Sequence, residues 1–265
     1  MSSDDVLRDQ ASAVGDDPWD PMRRLTQSRI GLRRTGTSLS TSDVLTFQAD
    51  HAAARDAVHT PMTTDTVAAG LVNLGFGEPA VVSSRATSRA EYLRRPDLGR
   101  MPDDLGALSR SGADLGIVLA DGLSATAVDE HGVNLVAAIL DKVTPHFSVA
   151  PPVIATQARV ALGDHIGHAL GVEILLVIIG ERPGLSVADS LGVYLTYAPQ
   201  PGRRDSERNC ISNIHPPDGL GYQEAAHIVS SLITGARQLG ASGVALKDTS
   251  AAEAALTTEP HAAVE

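Results

Sequence analysis

The chain has 265 residues, enough for one large domain or for a compact domain with a smaller lobe. Hydrophobic residues make up 43% and aromatic residues only 3%, which predicts a sizeable core built from Ala, Val, Leu and Ile. The formal charge is -11 and no sizeable basic stretch stands out, which argues against nucleic acid or an anionic membrane as the main partner.

Cysteine usage and apolar runs indicate where the protein works. Cys210 is the only cysteine, which excludes an intramolecular disulfide and a cysteine-based zinc site and favours a reducing cytoplasm. The polar, Asp-rich N-terminus has no apolar core and does not read as a secretory signal. The longest apolar run, Ile174 to Ile179, is too short to span a bilayer. We therefore expect a soluble, intracellular protein.

The predicted organisation has four regions. They are a flexible acidic N-terminus over 1–20, a mostly helical portion over 21–100, an α/β domain over 101–247 and a loose tail over 248–265. In the helical portion, Ser42-Asp43 is expected to cap a helix that runs through Val58. Thr60-Pro61 ends that helix, and a second helix is expected over Thr63 to Asn73.

Strands and helices alternate after Arg100. The predicted strands are Leu115 to Asp121, Pro151 to Thr156, Glu173 to Gly180, Gly192 to Ala198 and Ser242 to Leu246. The predicted helices are Ala125 to Val143, Gln157 to Leu170 and one that follows Gly221. The segment Glu173 to Gly180 is continuously apolar and rich in β-branched residues, as expected for a strand covered on both faces. The alternation predicts an α/β fold with a parallel sheet in three layers.

Ligands bind an open α/β sheet at the carboxyl ends of its strands. Three loops with polar groups or glycine are expected at that position: Asp121 to Ser124, Gly180 to Leu185 and Cys210 to His215. The alternative, that glycine and proline merely turn the chain in these loops, stays equally open.

Common cofactor motifs are missing. Gly75 to Ala80 fits a loose glycine pattern for dinucleotides, but Pro79 lies inside it and no strand precedes it, so we expect a loop. His165 and His168 follow Asp164 at helical spacing, an arrangement compatible with a metal. No third ligand lies nearby in the sequence, so surface or half-buried histidines are the favoured interpretation.

A self-contained active site is also missing. Ser124 lacks the flanking glycines of a nucleophile elbow. A stand-alone hydrolase that combines Ser124, Asp164 and a histidine would need long-range geometry that nothing in the sequence supports.

Several segments together resemble the light chain of ethanolamine ammonia-lyase. They are FQADHAAARDAV, YLRRPDLGR, LADGLSATAV, ARVALGDHIG, GERPGLSVADSLGVYLTY, RNCISNIH and ASGVAL, in that family's order, within roughly Pro21 to Leu246. The resemblance implies the non-autonomous small subunit of a lyase that converts ethanolamine to acetaldehyde and ammonia by an adenosylcobalamin-dependent radical route. It also implies that the α/β domain is Rossmann-like.

The resemblance implies a division of labour between two subunits. In that family a TIM barrel in the large subunit encloses ethanolamine and the radical, while the small subunit supplies part of the cobalamin-binding surface. The small subunit's cofactor contacts carry over to Val160, Glu181 and Cys210, with no catalytic residue and no metal ligand in this chain. This division fits the missing active site, because the cofactor carries the chemistry and the protein positions it.

The chemistry of these three residues suits the implied role. Corrin side chains end in amides, and a carboxylate such as Glu181 can accept their N–H groups. Val160 offers backbone polarity or apolar contact, and Cys210 is small enough to lie against the ring edge or nucleotide tail. The alternatives are a salt bridge from Glu181 to Arg182 or another arginine, and an inert buried thiol at Cys210.

The resemblance also implies that cobalamin keeps its own base on cobalt. Proteins that replace this base use a D-x-H-x-x-G motif, and the nearest segment here, Asp129 to Asn134, lacks the final glycine. The family setting implies a cytoplasmic enzyme, either free or inside a bacterial microcompartment.

Two further points stay open at this stage. A non-catalytic nucleotide- or phosphate-binding α/β module, or a regulatory subunit of another enzyme, would have a similar sheet with glycine-bearing loops. Five arginines are expected to pair with the large subunit or with carboxylates of this chain, and a solvated basic helix face is the alternative. These arginines are Arg29, Arg33, Arg94, Arg95 and Arg100.

Overall fold

A computed structural model describes residues 17–248 and residue 250. The expected flexible N-terminus over 1–20 and loose tail over 248–265 lie almost entirely outside the described residues. The chain divides into two compact units, the first ending at Ala53 and the second beginning at Ala54.

The first unit contains short elements and the start of a long helix. The elements are helix α1 (Asp20–Arg23), strands β1 (Arg34–Thr35) and β2 (Ser38–Leu39), and helix α2 (Thr41–His59). Helix α2 is capped by Ser40, whose hydroxyl accepts a 3.1 Å bond from the N–H of Asp43. The sequence interpretation placed this cap two residues too late, at Ser42-Asp43.

The second unit contains the main sheet. Its strands are β3 (Ala80–Ser83), β4 (Leu115–Ala120), β5 (Val153–Thr156), β6 (Ile174–Gly180), β7 (Leu191–Tyr197) and β8 (Arg208–Ile214). Its helices are α3 (Thr64–Asn73), α4 (Arg89–Arg94), α5 (Ala125–Ala127), α6 (Val133–Val143), α7 (Leu162–Leu170) and α8 (Tyr222–Leu239). Short 3₁₀ turns cover Leu98–Arg100 and Asp205–Glu207, and a π-helical turn covers Val128–Gly132.

The strands form one six-stranded sheet in the order β3-β5-β4-β6-β7-β8. Strands β3, β5, β4 and β6 are parallel, which confirms the predicted α/β class. Strand β7 runs antiparallel to both of its neighbours, so the expectation of a fully parallel sheet is wrong at this edge. Only 10 residues separate β6 from β7, too few for the crossover that a parallel neighbour needs.

Strand β6 explains the three layers, because all seven of its residues are buried. Its side chains alternate between the two faces of the sheet. Leu176 and Ile178 belong to the core shared with helices α6 and α8. Leu175 and Val177 belong to the core on the other face, which includes buried residues of α7. The continuous apolar run of β6 is therefore a strand that helices cover on both faces of the sheet, as predicted.

Two predicted elements differ from the structure, and one strand was not predicted. Segment Cys210 to His215 is not a loop, since residues up to Ile214 lie in β8. Segment Ser242 to Leu246 is not a strand, because β8 already covers the edge of β7. Its Gly243 N–H donates to Asn209 Oδ1 at 2.7 Å, which fixes a turn there. Strand β3 went unrecognised because it is only four residues long and lies in the portion expected to be mostly helical.

A buried ion pair joins helix α7 to strand β8. The guanidinium of Arg208 donates to both carboxylate oxygens of Asp164, at 2.5 and 2.7 Å, and both side chains are almost fully buried. Arg208 also donates to Thr196 Oγ1 at 3.0 Å and to the carbonyl of Arg203 at 3.0 Å. Removing one partner of such a pair leaves the other charge buried and uncompensated.

We predict that Arg208→Ala lowers the free energy of unfolding by about 3–5 kcal/mol, because it leaves Asp164 charged in the core. The matched control is Arg95→Ala, since Arg95 pairs with Asp97 at 2.7 Å on the open surface, where solvent screens the charges. Urea unfolding followed by circular dichroism measures both. Equal, small losses for the two variants would contradict the structural role of the Arg208 pair.

Candidate functional site

Two loops meet at the carboxyl end of the parallel strands, as predicted. The loop after β4 contains Gly122, and the loop after β6 follows Gly180, the last residue of that strand. The N–H of Leu123 donates to the carbonyl of Gly180 at 2.9 Å. A Cβ on Gly180 would lie 1.9 Å from the carbonyl oxygen of Ser124, and Gly122 has a positive φ of 55°. Glycine is therefore required at both positions for the loops to approach this closely.

Asp121 organises the floor of this region. It is 2% exposed and accepts hydrogen bonds from the backbone N–H groups of Gln157 at 2.7 Å and Ala158 at 2.8 Å. Burial raises the pKa of Asp121, while the Ala158 N–H and the nearby Arg89 charge act in the opposite direction. Gln157 has a positive φ of 51°, so the helix predicted from Gln157 starts only at Leu162.

The loops enclose a cavity of about 270 Å³. Its lining residues are Tyr92, Gly122, Leu123, Arg159, Val160, Ile179, Gly180, Glu181, Arg182 and Tyr194. A second cavity of about 300 Å³ shares Arg159, Val160 and Tyr194 with the first. These shared residues make the two cavities parts of one surface, which starts at the carboxyl ends of the parallel strands.

Tyr92 and Arg159 line one wall of the cavity, and Arg159 gives that wall positive charge. The guanidinium of Arg89 lies 4.8 Å from the centre of the Tyr92 ring, and that of Arg159 lies 4.6 Å from it. Tyr92 donates to the carbonyl of Ala158 at 3.0 Å, and burial raises its pKa. Arg159 Nε is buried and has no hydrogen-bond partner within residues 17–248 and 250. This wall is suited to ligand groups that accept hydrogen bonds.

Glu181 lies on the opposite side of the cavity, immediately after β6. Its Oε2 accepts hydrogen bonds from the Ser190 hydroxyl at 2.8 Å and from the Asn213 N–H at 3.1 Å. Its Oε1 accepts a hydrogen bond from the Ser212 hydroxyl. Among the described residues, no ion pair includes Glu181. The alternative of a salt bridge to Arg182 is therefore not what the structure contains.

Val160 and Cys210 lie close to the same surface. Val160 is half-buried and lines both cavities. Cys210 is exposed on β8, directly across from Tyr194 on β7, so it is not an inert buried thiol. Tyr194 in turn lines the cavity. The structure thus brings Val160 and Glu181 to one cavity, with Cys210 beside it through Tyr194.

Partial burial shifts the pKa values of Cys210 and Tyr194. It raises the pKa of the Cys210 thiol, and the neighbouring Tyr194 side chain offsets this shift in part. It also raises the pKa of Tyr194 to about 12, with the nearby Cys210 and Glu181 adding to the shift. Both groups are therefore neutral at physiological pH.

Sequence reasoning missed three cavity residues: Tyr92, Arg159 and Tyr194. Two of them lie inside segments that carried the resemblance, since Tyr92 is in YLRRPDLGR and Tyr194 is in GVYLTY. Arg159 directly precedes Val160 in ARVALGD. Aromatic residues make up only 3% of the chain, so a tyrosine close to a predicted loop could have indicated a residue of the site.

The rival site residues do not assemble. Ser124 is fully buried and donates to the carbonyl of Ala188 at 2.7 Å. The carboxylate of Asp164 forms an ion pair with Arg208. Burial lowers the pKa of His165, and His168 is exposed. Within the described part of the chain, neither histidine belongs to a cluster with metal-binding geometry.

The five arginines expected at an interface divide into two sets. Arg29 pairs with Asp50, Arg33 lies 3.5 Å from Asp17, and Arg95 pairs with Asp97. Arg94 donates to the carbonyl of Ala90 at 3.1 Å, and Arg100 lines the second cavity. Three of the five are thus engaged by carboxylates of this chain.

Comparisons with known proteins agree along almost the whole chain. The sequence model of the ethanolamine ammonia-lyase light-chain family matches residues 16–247. The chain is 58% identical to the ethanolamine ammonia-lyase small subunit of Rhodococcus erythropolis, over 96% of this chain and 98% of that protein. It is 45% identical to the small subunit of Ralstonia nicotianae, over 92% and 93% of the two chains, and 48% identical to that of Rhodopseudomonas palustris, over 88% and 91%.

The fold and the cavity define an α/β protein with an open cavity at the carboxyl ends of its parallel strands. Among the residues described, that cavity contains no assembled nucleophile, base and acid. The chain belongs to the ethanolamine ammonia-lyase light-chain family, and is therefore a subunit of a lyase.

We predict that Cys210 is accessible to alkylation but reacts slowly near pH 8. Its raised pKa keeps the thiolate fraction below that of a free thiol, whose pKa is about 8.5. The rate of iodoacetamide modification, followed by mass spectrometry from pH 7 to pH 10, should rise at a higher pH than for a cysteine peptide. Because Cys210 is the only cysteine, the readout reports one site. A rate at pH 8 equal to that of the peptide would show that the thiol is not desolvated.

Proposed function

We propose that this chain supplies part of the adenosylcobalamin-binding surface of ethanolamine ammonia-lyase and works only together with a large subunit. The observation that carries the proposal is the position of Glu181. Its carboxylate lies at the carboxyl edge of a mostly parallel sheet, on the wall of a cavity that also includes Val160. The names of the relatives as small subunits support a large partner.

The size of the cavities fits a shared cofactor. Pockets that enclose a drug-sized ligand occupy about 300–1,000 Å³. The cavities here, at about 270 and 300 Å³, lie just below and at the lower limit of that range, and both are open. They would accept the amide side chains or nucleotide tail of a corrinoid, while the rest of the macrocycle contacts another surface.

The hydrogen-bonding groups also fit. A carboxylate has about four acceptor sites, and three donors already occupy Glu181. The remaining site can accept one N–H from a corrin amide. On the opposite wall, the unpaired Nε of Arg159 can donate to an amide carbonyl or to a phosphate oxygen. The site therefore offers both an acceptor and a donor to a ligand rich in amides.

Adenosylcobalamin would supply the radical chemistry when bound, in its base-on form. The residues of this chain would orient it: Glu181 and Arg159 by hydrogen bonds, and Val160 by contact with an apolar edge. Cys210 and Tyr194 would lie against the periphery as neutral groups. Ethanolamine would be held by the TIM barrel of the large subunit, so no acid–base group is required of this chain.

The cellular setting follows from the same proposal. No helix in the described part of the chain is long and apolar enough to cross a membrane. We propose a cytoplasmic protein, free or enclosed in a bacterial microcompartment, whose partners are the large subunit and the cofactor and not nucleic acid.

We predict that the isolated chain produces no acetaldehyde from ethanolamine, even with saturating adenosylcobalamin. Activity should appear when the large subunit is added, because that subunit holds the substrate. A coupled alcohol dehydrogenase assay measures acetaldehyde in both cases. Deamination by the isolated chain would refute the proposed division of labour.

We predict that Glu181→Gln weakens adenosylcobalamin binding by the two-subunit complex roughly ten- to hundred-fold. The variant replaces a charged acceptor with a neutral amide, and a charge-assisted hydrogen bond is worth about 1.5–3 kcal/mol. The Michaelis constant for ethanolamine should stay unchanged, because the substrate pocket lies in the partner. Equilibrium dialysis and steady-state kinetics measure the two quantities.

The matched control is Glu78→Gln, the same substitution at an exposed loop position outside the cavity. It should leave cofactor affinity and the Michaelis constant as in the wild type. Size-exclusion chromatography must show that both variants assemble with the large subunit. Unchanged cofactor affinity in an assembled Glu181→Gln complex would remove Glu181 from the cofactor site.

A further inference from the structure

The π-helical turn Val128–Gly132 presents a histidine that the proposed function does not use. His131 lies on this turn and is 9% exposed. Its Nδ1 lies 2.7 Å from the hydroxyl oxygen of Tyr222, at the start of α8. A π-helical turn inserts an extra residue into a helix and occurs frequently at functional sites.

The other ring nitrogen of His131 is buried and has no hydrogen-bond partner among the residues that the structure describes. It lies 3.5 Å from Asp189 Oδ2 and 3.9 Å from Glu130 Oε2. Both distances exceed the 2.7–3.2 Å of an N–H···O hydrogen bond. A buried nitrogen that faces two carboxylates at this separation needs a partner placed between them.

We propose that Glu130, His131 and Asp189 bind a divalent transition-metal ion of the zinc type. One nitrogen and two oxygen ligand atoms lie within 4.8 Å of one another. Ligand atoms around a tetrahedral zinc ion with bonds of about 2.0–2.1 Å are about 3.3 Å apart. The observed separations of 3.5 and 3.9 Å from Nε2 are close to that value, so small side-chain shifts complete the geometry.

The ligand chemistry favours zinc over the harder cations. An imidazole nitrogen suits zinc, whereas calcium and magnesium prefer sites made entirely of oxygen. Two carboxylates balance the charge of a divalent ion. Glu130 is exposed and Asp189 is partly exposed, which leaves a path for the ion and room for water at the fourth position.

Tyr222 supplies the outer interaction that a histidine ligand usually needs. If Nδ1–H donates to the Tyr222 hydroxyl oxygen at 2.7 Å, the lone pair of Nε2 is directed at the carboxylates. The rings of His131 and Tyr222 also pack against each other, with centroids 6.0 Å apart. The histidine is therefore oriented before any ion arrives.

A metal at this position would connect two segments near the cavity. Asp189 belongs to the connection between β6 and β7, and Ser190, the next residue, donates to Glu181. Ser124 holds the same connection through the carbonyl of Ala188 at 2.7 Å. The ion would tie this connection to the π-helical turn and so stabilise the segment that contacts Glu181.

The test uses the full chain, purified without a histidine tag. Co²⁺ is titrated as a spectroscopic probe, since a tetrahedral site gives intense visible absorption, and Zn²⁺ then competes for the site. The variants are Asp189→Asn and Glu130→Gln, which alter exposed or partly exposed carboxylates and leave the buried histidine in place. The matched control is Asp218→Asn, an exposed carboxylate outside the cluster.

Wild type and Asp218→Asn should bind one equivalent of Co²⁺ with equal affinity, and Zn²⁺ should displace it. Each ligand variant should bind at least about tenfold more weakly. The chain has nine histidines, so weak binding common to all variants is background. The proposal fails if the wild type shows no saturable tetrahedral spectrum, or if the ligand variants bind as tightly as the control. In that case the cluster binds no metal ion, and His131 contacts its two carboxylates directly.

Discussion

The buried carboxylate of Asp121 ties together segments that are far apart in the sequence. It ends β4, accepts the N–H groups of Gln157 and Ala158 after β5, and lies 3.4 Å from Arg89 on α4. Hydrogen bonds to a charged group contribute about 1.5–3 kcal/mol each, and an unpaired buried carboxylate would cost more. The path of residues 157–160, and hence the position of Val160 on the cavity wall, depends on this one side chain.

The rest of the cavity wall is arranged around that anchor. Arg89 donates to the carbonyl of Gly122 at 2.9 Å and stacks on Tyr92, which in turn donates to Ala158. Arg159 stacks on the other side of the same ring. Two cations are thereby held close together by one aromatic ring and one carboxylate. The result is a rigid, positively charged wall opposite the carboxylate of Glu181, which suits a polar ligand that carries both donors and acceptors.

The antiparallel edge of the sheet has a direct consequence for Glu181. Because β7 returns beside β6 after a short connection, Ser190 lies next to Glu181. Because β8 then pairs with β7, Ser212 and Asn213 reach the same carboxylate. A fully parallel sheet would not have brought these donors to it. The local change in strand direction therefore fixes the side chain that the proposed cofactor contact requires.

The sequence alone determined the features that depend on local composition. The apolar run of β6 predicted a strand buried on both faces, and the glycines at 122 and 180 predicted loops at the carboxyl edge of the sheet. The resemblance pointed to Val160 and Glu181, which the fold does bring to one cavity. Tertiary structure decided the rest. The four residues of β3 are too few to show a hydrophobic period. Strand β8 is not recognisable from its sequence, because its pairing with β7 makes it a strand. The hydrogen-bond partners of Asp121, Glu181 and His131 come from residues 9 to 91 positions away, and no local pattern encodes which of these groups meet.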